Sequence, residues 1–247
     1  MTDSGECVAI IPAKDEAGRI AATVAAVSAL PQVATVIVVD DGSADGTGAL
    51  ALAAGAAVVT HPRNRGKAAA MTTGADFAAE HGWPDLPLLY VDADLEQSAA
   101  ALGVLADPVL AGDADLTIAV LPPQTTAGGG RGFVVRLARN GIRELAGFET
   151  TQPLSGMRCL NRAAYAAAQP FARGWGVETA MTVDVVRAGL RVLEVPADLH
   201  HRVTGSDWRG QLHRAEQYRD VWLALAARRG RALAARVRDR GGRDTPP

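Results

Sequence analysis

Cysteine is scarce in this sequence: Cys7 and Cys159 are the two examples in 247 residues, and they form no C-x-x-C pair. A disulfide framework and a thiolate metal site therefore lack support, and a reducing cytoplasm is the simplest expectation. Aromatic residues make up 4%, so the core must be built from Val, Leu, Ile and Ala, with helices that pack closely. No apolar run approaches the roughly 20 residues that a membrane-spanning helix requires. The opening MTDSGECVAIIPA has no basic segment ahead of its apolar stretch, which Pro12 interrupts and Lys14, Asp15 and Glu16 follow. A signal peptide is not expected. Lysine is nearly missing as well, since Lys14 and Lys67 are the only two and every other basic cation is arginine.

What is present describes a packed globular chain, with 48% hydrophobic and 21% charged residues, long enough to bury a full core. The net charge of −2 conceals an asymmetry. Residues 1–201 hold 14 Lys and Arg against 22 Asp and Glu, whereas residues 202–247 hold 11 Arg against 5 acids. The basic end suggests an anionic partner, which could be a membrane surface, a phosphorylated acceptor or the protein's own acidic body. Nucleic acid is not expected as a partner, because stacking residues are few and the body is acidic.

Short β-branched runs alternate with helical spacing. Residues 7–11 (CVAII), 36–39 (VIVV), 57–60 and 86–91 read as buried strands, separated by amphipathic stretches at 15–30, 47–54 and 68–81. Strand and helix in alternation imply a predominantly parallel sheet flanked by helices, an α/β fold. Residues 116–121 and 190–195 supply later strands, 133–146, 161–168 and 177–188 later helices, and 207 onward an Arg-rich helix. The expected division is a catalytic domain over 1–205 and a C-terminal helical extension over 206–247. In such sheets ligands gather beyond the carboxyl ends of the strands, and three of these strands run directly into polar or acidic residues.

Asp92-Ala93-Asp94 follows one strand end, where two carboxylates one residue apart can both offer oxygen to a hard divalent cation. Asp40-Asp41-Gly42-Ser43 follows another. Asn64-Arg65-Gly66 precedes Lys67, where glycine permits close backbone approach and a cation can meet a phosphate. Ordered as Ile11-Pro12-Ala13-Lys14-Asp15-Glu16, Val39-Asp40-Asp41-Gly42-Ser43, Asn64-Arg65-Gly66-Lys67 and Val91-Asp92-Ala93-Asp94, these motifs closely resemble family 2 glycosyltransferases of GT-A fold, over about residues 7–205. Gly174-Trp175-Gly176-Val177-Glu178 and His201-Arg202 add a likeness to the glucosyl-3-phosphoglycerate synthases, beside one to the polyprenyl-phosphate glycosyltransferases.

The resemblance implies transfer of a sugar from a UDP- or GDP-sugar donor, with Mg²⁺ or Mn²⁺ as cofactor. Pro12, Ala13 and Glu16 would line the nucleoside pocket, Asp41 would read the base edge, and Lys67, Asp92 and Ala93 would meet the donor. Asp92, Asp94 and His201 would hold the metal, with His200 as the alternative to His201, and Asp94 and Glu178 would carry the catalytic roles. Ser155, Gly156 and Arg131, the last beside Gly128-Gly129-Gly130, would face a phosphorylated small molecule or a lipid phosphate. Peripheral membrane contact and a homodimer both stay open. A nucleotidyltransferase would show G-x-G-T-R after the first strand and a dinucleotide enzyme G-x-G-x-x-G, and neither stands there. A non-catalytic scaffold would have no need of both acidic residues together with Lys67.

Overall fold

The computed structural model describes residues 5–122, 131–199 and 208–241. Seven strands form one sheet in the order β3-β2-β1-β4-β6-β5-β7. They are β1 (Cys7–Ala13), β2 (Val33–Asp40), β3 (Ala57–Thr60), β4 (Leu88–Tyr90), β5 (Leu116–Val120), β6 (Arg158–Leu160) and β7 (Val192–Pro196). Neighbours pair in parallel except β6, which runs antiparallel to both β4 and β5. The order reverses at β1: β2 and β3 build outward on one side, and β4 starts the other. A crevice opens at such a switch point, beyond the carboxyl ends of the strands.

Two apolar layers enclose the sheet. α1 (Ile20–Ser28) packs one face through Ile20, Val24 and Val27, together with Leu102 and Leu105 from the helical stretch 96–110. α3 (Lys67–Glu80) packs the other through Ala70, Met71 and Ala75. Small residues make the approach close, as expected where aromatics are few. A Cβ on Gly74 would sit 2.5 Å from the Ile10 side chain, so the backbone of α3 lies directly against that side chain of β1.

The remaining helices are α2 (Thr47–Ala53), α4 (Gly103–Leu110), α5 (Arg131–Ala146), α6 (Arg162–Ala168), α7 (Val177–Arg187) and α8 (Trp208–Gly241). A third cluster joins α5, α7 and α8 through Val134, Ala138, Ile142, Val183, Val221 and Leu225. The helix α8 is seated where side chains are missing: a Cβ on Gly141 would come within 2.4 Å of Leu225, and one on Gly176 within 2.6 Å of Ala224. No helix among the described residues is long and apolar enough to cross a membrane.

Three features differ from the sequence pattern. β4 is shorter than the run 86–91, so Asp92-Ala93-Asp94 lies in a turn beyond the strand. Residues 96–110, to which the pattern assigns nothing, are helical. The antiparallel β6 is the third, in a stretch whose pattern reads as loop.

Candidate active site

The polar motif residues first hold one another. The Ser43 hydroxyl accepts from the Asp15 N–H at 2.9 Å, the Thr47 hydroxyl from the Glu16 N–H at 2.8 Å, and Asp45 from the Ala17 N–H at 2.9 Å. Asp40 accepts from the Ser43 N–H and lies against Gly48, where a Cβ would be 2.6 Å from its Oδ2. The loops after β1 and β2 are thus stitched together, with Pro12 and Ala13 at the end of β1 beside them. Glu16 is bonded through its carboxylate to Arg19.

Asp41 is buried and accepts from three groups. The His61 ring nitrogen Nδ1 lies 2.7 Å from Oδ1, and the N–H groups of Arg65 and Gly66 each donate at 2.8 Å. His61 is anchored in turn by the Thr73 hydroxyl at 3.0 Å. Burial works to raise the Asp41 carboxyl, but these donors outweigh it and hold it below its ordinary value. Gly66 is the residue before α3. Asp41 therefore fixes the start of the helix whose first residue is Lys67.

Lys67 is the hub. Its Nζ lies 2.8 Å from Asp92 Oδ1 and 3.0 Å from Glu178 Oε1, linking the end of β4 to the first turn of α7. Burial opposes its charge, yet Asp92 and Glu178 outweigh that and raise the ammonium above the usual lysine range. Gly156 closes the cluster. A Cβ there would lie 2.6 Å from Lys67 Nζ and 2.7 Å from both Asp92 oxygens, so glycine is required for the three charges to meet.

The turn carrying Asp92 and Asp94 is pinned by Thr23 of α1, whose hydroxyl donates to the Ala93 carbonyl and accepts from the Glu96 N–H, both at 2.9 Å. The Arg19 guanidinium is raised above its ordinary value chiefly by its bond to Glu16, and the negative charge of Asp94 adds to this. Asp92 meets Lys67. Strand alternation does not place the two acids of the motif, because the turn does.

Behind the cluster Arg158 is fully buried. Its guanidinium donates to the carbonyls of Ser155 (2.8 Å) and Pro153 (3.3 Å) and to the Thr182 hydroxyl (2.9 Å). Burial pushes it down to about 10, while the nearby charges of Glu178 and Glu194 act the other way. It fastens the loop before β6 to α7, and that loop delivers Ser155 and Gly156. The buried hydroxyls of Ser155 and Thr179 have no hydrogen-bond partner among the described residues.

A small cleft, partly open to solvent, lies over the cluster. Its floor is Lys67, Asp92 and Glu178, its walls are Val134, Leu154 and Val221, and Trp175 and Gln217 complete the lining. The structure therefore gathers Asp92, Lys67, Glu178 and Gly156 from the expected residues, and sets Glu16 and Asp41 in the loops beyond β1 and β2. His200, His201 and the 128–130 loop lie outside the described residues, as does the Arg131 side chain. Among the described residues no three His, Cys, Asp or Glu form a metal cluster. His61, Arg19, Thr23 and Arg158 escape the sequence pattern; His61, Thr23 and Arg158 act through partners distant in sequence, and Arg19 through Glu16 three residues before it.

A parallel-sheet core with acidic turns at its switch point and one antiparallel strand beyond β4 is the GT-A type of α/β fold. The chain belongs to glycosyl transferase family 2, whose profile matches residues 8–164. Among curated proteins it is similar to Glycosyltransferase AglJ of Haloferax volcanii, 28% identical over 182 residues that cover 70% of this chain and 56% of that protein. The chain thus spans little more than half the length of that relative. Among solved structures it is similar to the glucosyl-3-phosphoglycerate synthase of Mycobacterium tuberculosis. In complex with Mg²⁺ and UDP that enzyme matches at TM-score 0.74 and 28% identity, over 92% of this chain and 80% of the other. A second structure of it, with Mn²⁺, UDP-glucose and phosphoglyceric acid, matches at TM-score 0.73 and 28% identity with the same coverage.

Proposed function

We propose that this chain is a metal-dependent glycosyltransferase that moves a sugar from a UDP- or GDP-sugar to an acceptor held in the cleft beneath α8. The observation that carries this reading is the convergence of Asp92, Lys67 and Glu178 at the switch point of the sheet, around a glycine that admits no side chain. Crystals of the similar synthase with UDP, UDP-glucose and Mn²⁺ or Mg²⁺ support it.

The donor set suits a hard cation. Asp92 and Asp94 offer carboxylate oxygen, and Gly156 lets Asp92 and Lys67 meet with no side chain between them. We assign these two acids to Mg²⁺ or Mn²⁺, with His201 as the third ligand and His200 as its alternative. When bound, such an ion supplies charge neutralisation to a departing diphosphate. Lys67 brings a second positive charge to the same phosphates, held ready by Asp92 and Glu178. Glu16, steadied by Arg19, faces the ribose, and Pro12, Ala13 and Asp41 border the base; the Asp41 carboxylate also holds the loop that positions Lys67. On the acceptor side Glu178 orients the reacting oxygen, and the unsatisfied Ser155 hydroxyl beside Gly156 offers a hydrogen bond, with Arg131 flanking.

The test is thermal stabilisation by UDP, GDP and their sugars, with and without Mn²⁺. One nucleoside class should stabilise the protein only when metal is present, and Asp92→Asn should abolish the effect. Indifference to every nucleotide would refute the assignment.

A further inference from the structure

Resting on the assignment of Asp92 and Asp94 to a divalent cation, we propose that Thr23 of α1 is a positioning residue for that site: its hydroxyl holds a strained turn so that the two carboxylates are set in advance. The strain is in the backbone. Among the described residues Asp15 and Glu96 alone are non-glycine residues with positive φ, 55° and 50°, a left-handed conformation that crowds a Cβ against the following carbonyl and that glycine ordinarily takes. Both lie beside a motif acid, since Asp15 precedes Glu16 and Glu96 stands two residues after Asp94. Each is also held in the same way. The Asp15 N–H donates to the Ser43 hydroxyl and the Glu96 N–H to the Thr23 hydroxyl, both at 2.9 Å. Strained residues persist where their surroundings over-determine them, and here the determining group is a hydroxyl remote in sequence.

The core gives no reason for a hydroxyl at residue 23. Thr23 has no exposed surface and sits among Ile20, Val24 and Val27 on the apolar face of α1, where valine would fill the same volume. A threonine inside a helix commonly turns its hydroxyl back to the carbonyl four residues earlier. That carbonyl, of Arg19, is 3.4 Å away, whereas the Ala93 carbonyl is at 2.9 Å. The hydroxyl proton thus goes to Ala93 and a lone pair to the Glu96 N–H, and one side chain closes both ends of the turn.

That closure bears on the acids. Ala93 and Leu95 are buried in the core, and Asp92 and Asp94 alternate with them, half-buried. A turn that slipped would therefore displace both carboxylates together. Hard cations need their oxygen ligands in set positions, and the groups that orient such ligands govern affinity nearly as strongly as the ligands do.

Two substitutions separate this role from a structural one, because each keeps what the other removes. Thr23→Val keeps the volume and loses the hydroxyl, whereas Thr23→Ser keeps the hydroxyl and loses a buried methyl group. Calorimetric titration of the full chain with Mn²⁺, alone and with UDP or GDP, should show affinity about tenfold weaker for Thr23→Val and within about twofold of wild type for Thr23→Ser. Serine should hold that affinity even though the lost methyl group lowers its melting temperature. Hydrogen exchange across residues 93–96 should rise in the valine variant and not in the serine variant. In the wild-type protein the Glu96 amide should exchange slowly despite lying in a turn, a measurement that requires no variant to fold. Undiminished Mn²⁺ affinity in Thr23→Val overturns the proposal, as do equal losses in both variants or rapid Glu96 exchange in the wild type. Wild-type protein that binds no Mn²⁺ with either nucleotide overturns the metal assignment and the role of Thr23 with it, whereas the other adverse results overturn the role alone.

Discussion

At Gly156 one methyl group is enough to dismantle the charged cluster, because the added carbon would fall 2.6 Å from Lys67 Nζ and 2.7 Å from both Asp92 oxygens. Gly156→Ala should therefore lower kcat/KM by about a hundredfold, a transition-state loss of roughly 2.7 kcal/mol, while the melting temperature moves little. Steady-state kinetics beside a thermal melt checks this, and wild-type turnover in the variant would show that the cluster does not serve the reaction. Asp41 makes a different prediction, because its carboxylate acts mainly on the protein. Its pKa lies below the ordinary 3.8 through His61 and the N–H groups of Arg65 and Gly66, against the opposing effect of burial. A carboxyl with a depressed folded pKa stabilises fully above its unfolded value and loses that contribution as pH falls through the folded one. The window thus opens near pH 4 and extends below it. Asp41→Asn should cost about 1.5–3 kcal/mol at pH 7, and the gap to wild type should narrow by pH 3. Urea unfolding at the two pH values decides it; an equal gap at both would mean that the charge is not what matters.

Elements built from apolar runs were legible in the sequence, and those built from exceptions were not. The runs at residues 7–11, 36–39 and 57–60 lie in β1, β2 and β3, and the acidic motifs fall at the end of β2 and just beyond β4. Strand β6 was hidden because three residues, one of them arginine, carry no alternation, and because its partners β4 and β5 lie about 70 and 40 residues away in sequence. The stretch 96–110 was hidden by Gly103 and Pro108, residues that ordinarily argue against a helix. Likewise Cys7 and Cys159, distant in sequence, are neighbours in the core as free thiols, and the Cys7 side chain, together with burial, holds the Cys159 thiol well above its ordinary value. Arg158 explains why β6 tolerates a cation at full burial: carbonyls and a hydroxyl from two other segments complete it. Arg158→Met should strand those oxygens and loosen the 153–156 loop, costing about 2–4 kcal/mol and reducing kcat/KM along with it. Arg158→Lys keeps the charge but not the fork of donors, so it should recover little of either. Full recovery by lysine in melts and kinetics would show that charge alone is needed.

For the whole molecule the question is what the basic C-terminal segment does. The sequence leaves three anionic partners open, and the described arginines meet the protein's own acids: Arg228 pairs with Asp184, Arg229 with Glu144, and Arg231 lies 3.9 Å from Asp184. Arg228 is buried, and a buried pair costs most when one member is removed. The same helix supplies Val221 and Leu225 to the third core cluster and Gln217 and Val221 to the cleft. We therefore expect α8 to be a wall of the catalytic body and not a separable extension beginning at residue 206. A chain ending at residue 206 would leave Val134, Ala138, Ile142 and Val183 facing water and Asp184 without its buried partner, so it should melt at lower temperature, aggregate and lose acceptor binding. Leu225→Ala probes the same contact without removing the helix. Because Gly141 opposite it offers no side chain to fill the space, the cost should be about 2–5 kcal/mol, read as a shift in the urea midpoint at unchanged slope. Were the shortened chain to melt like the full one and bind nucleotide and acceptor equally, α8 would be an appendage, and the cleft would have to be formed by the sheet and α7 alone.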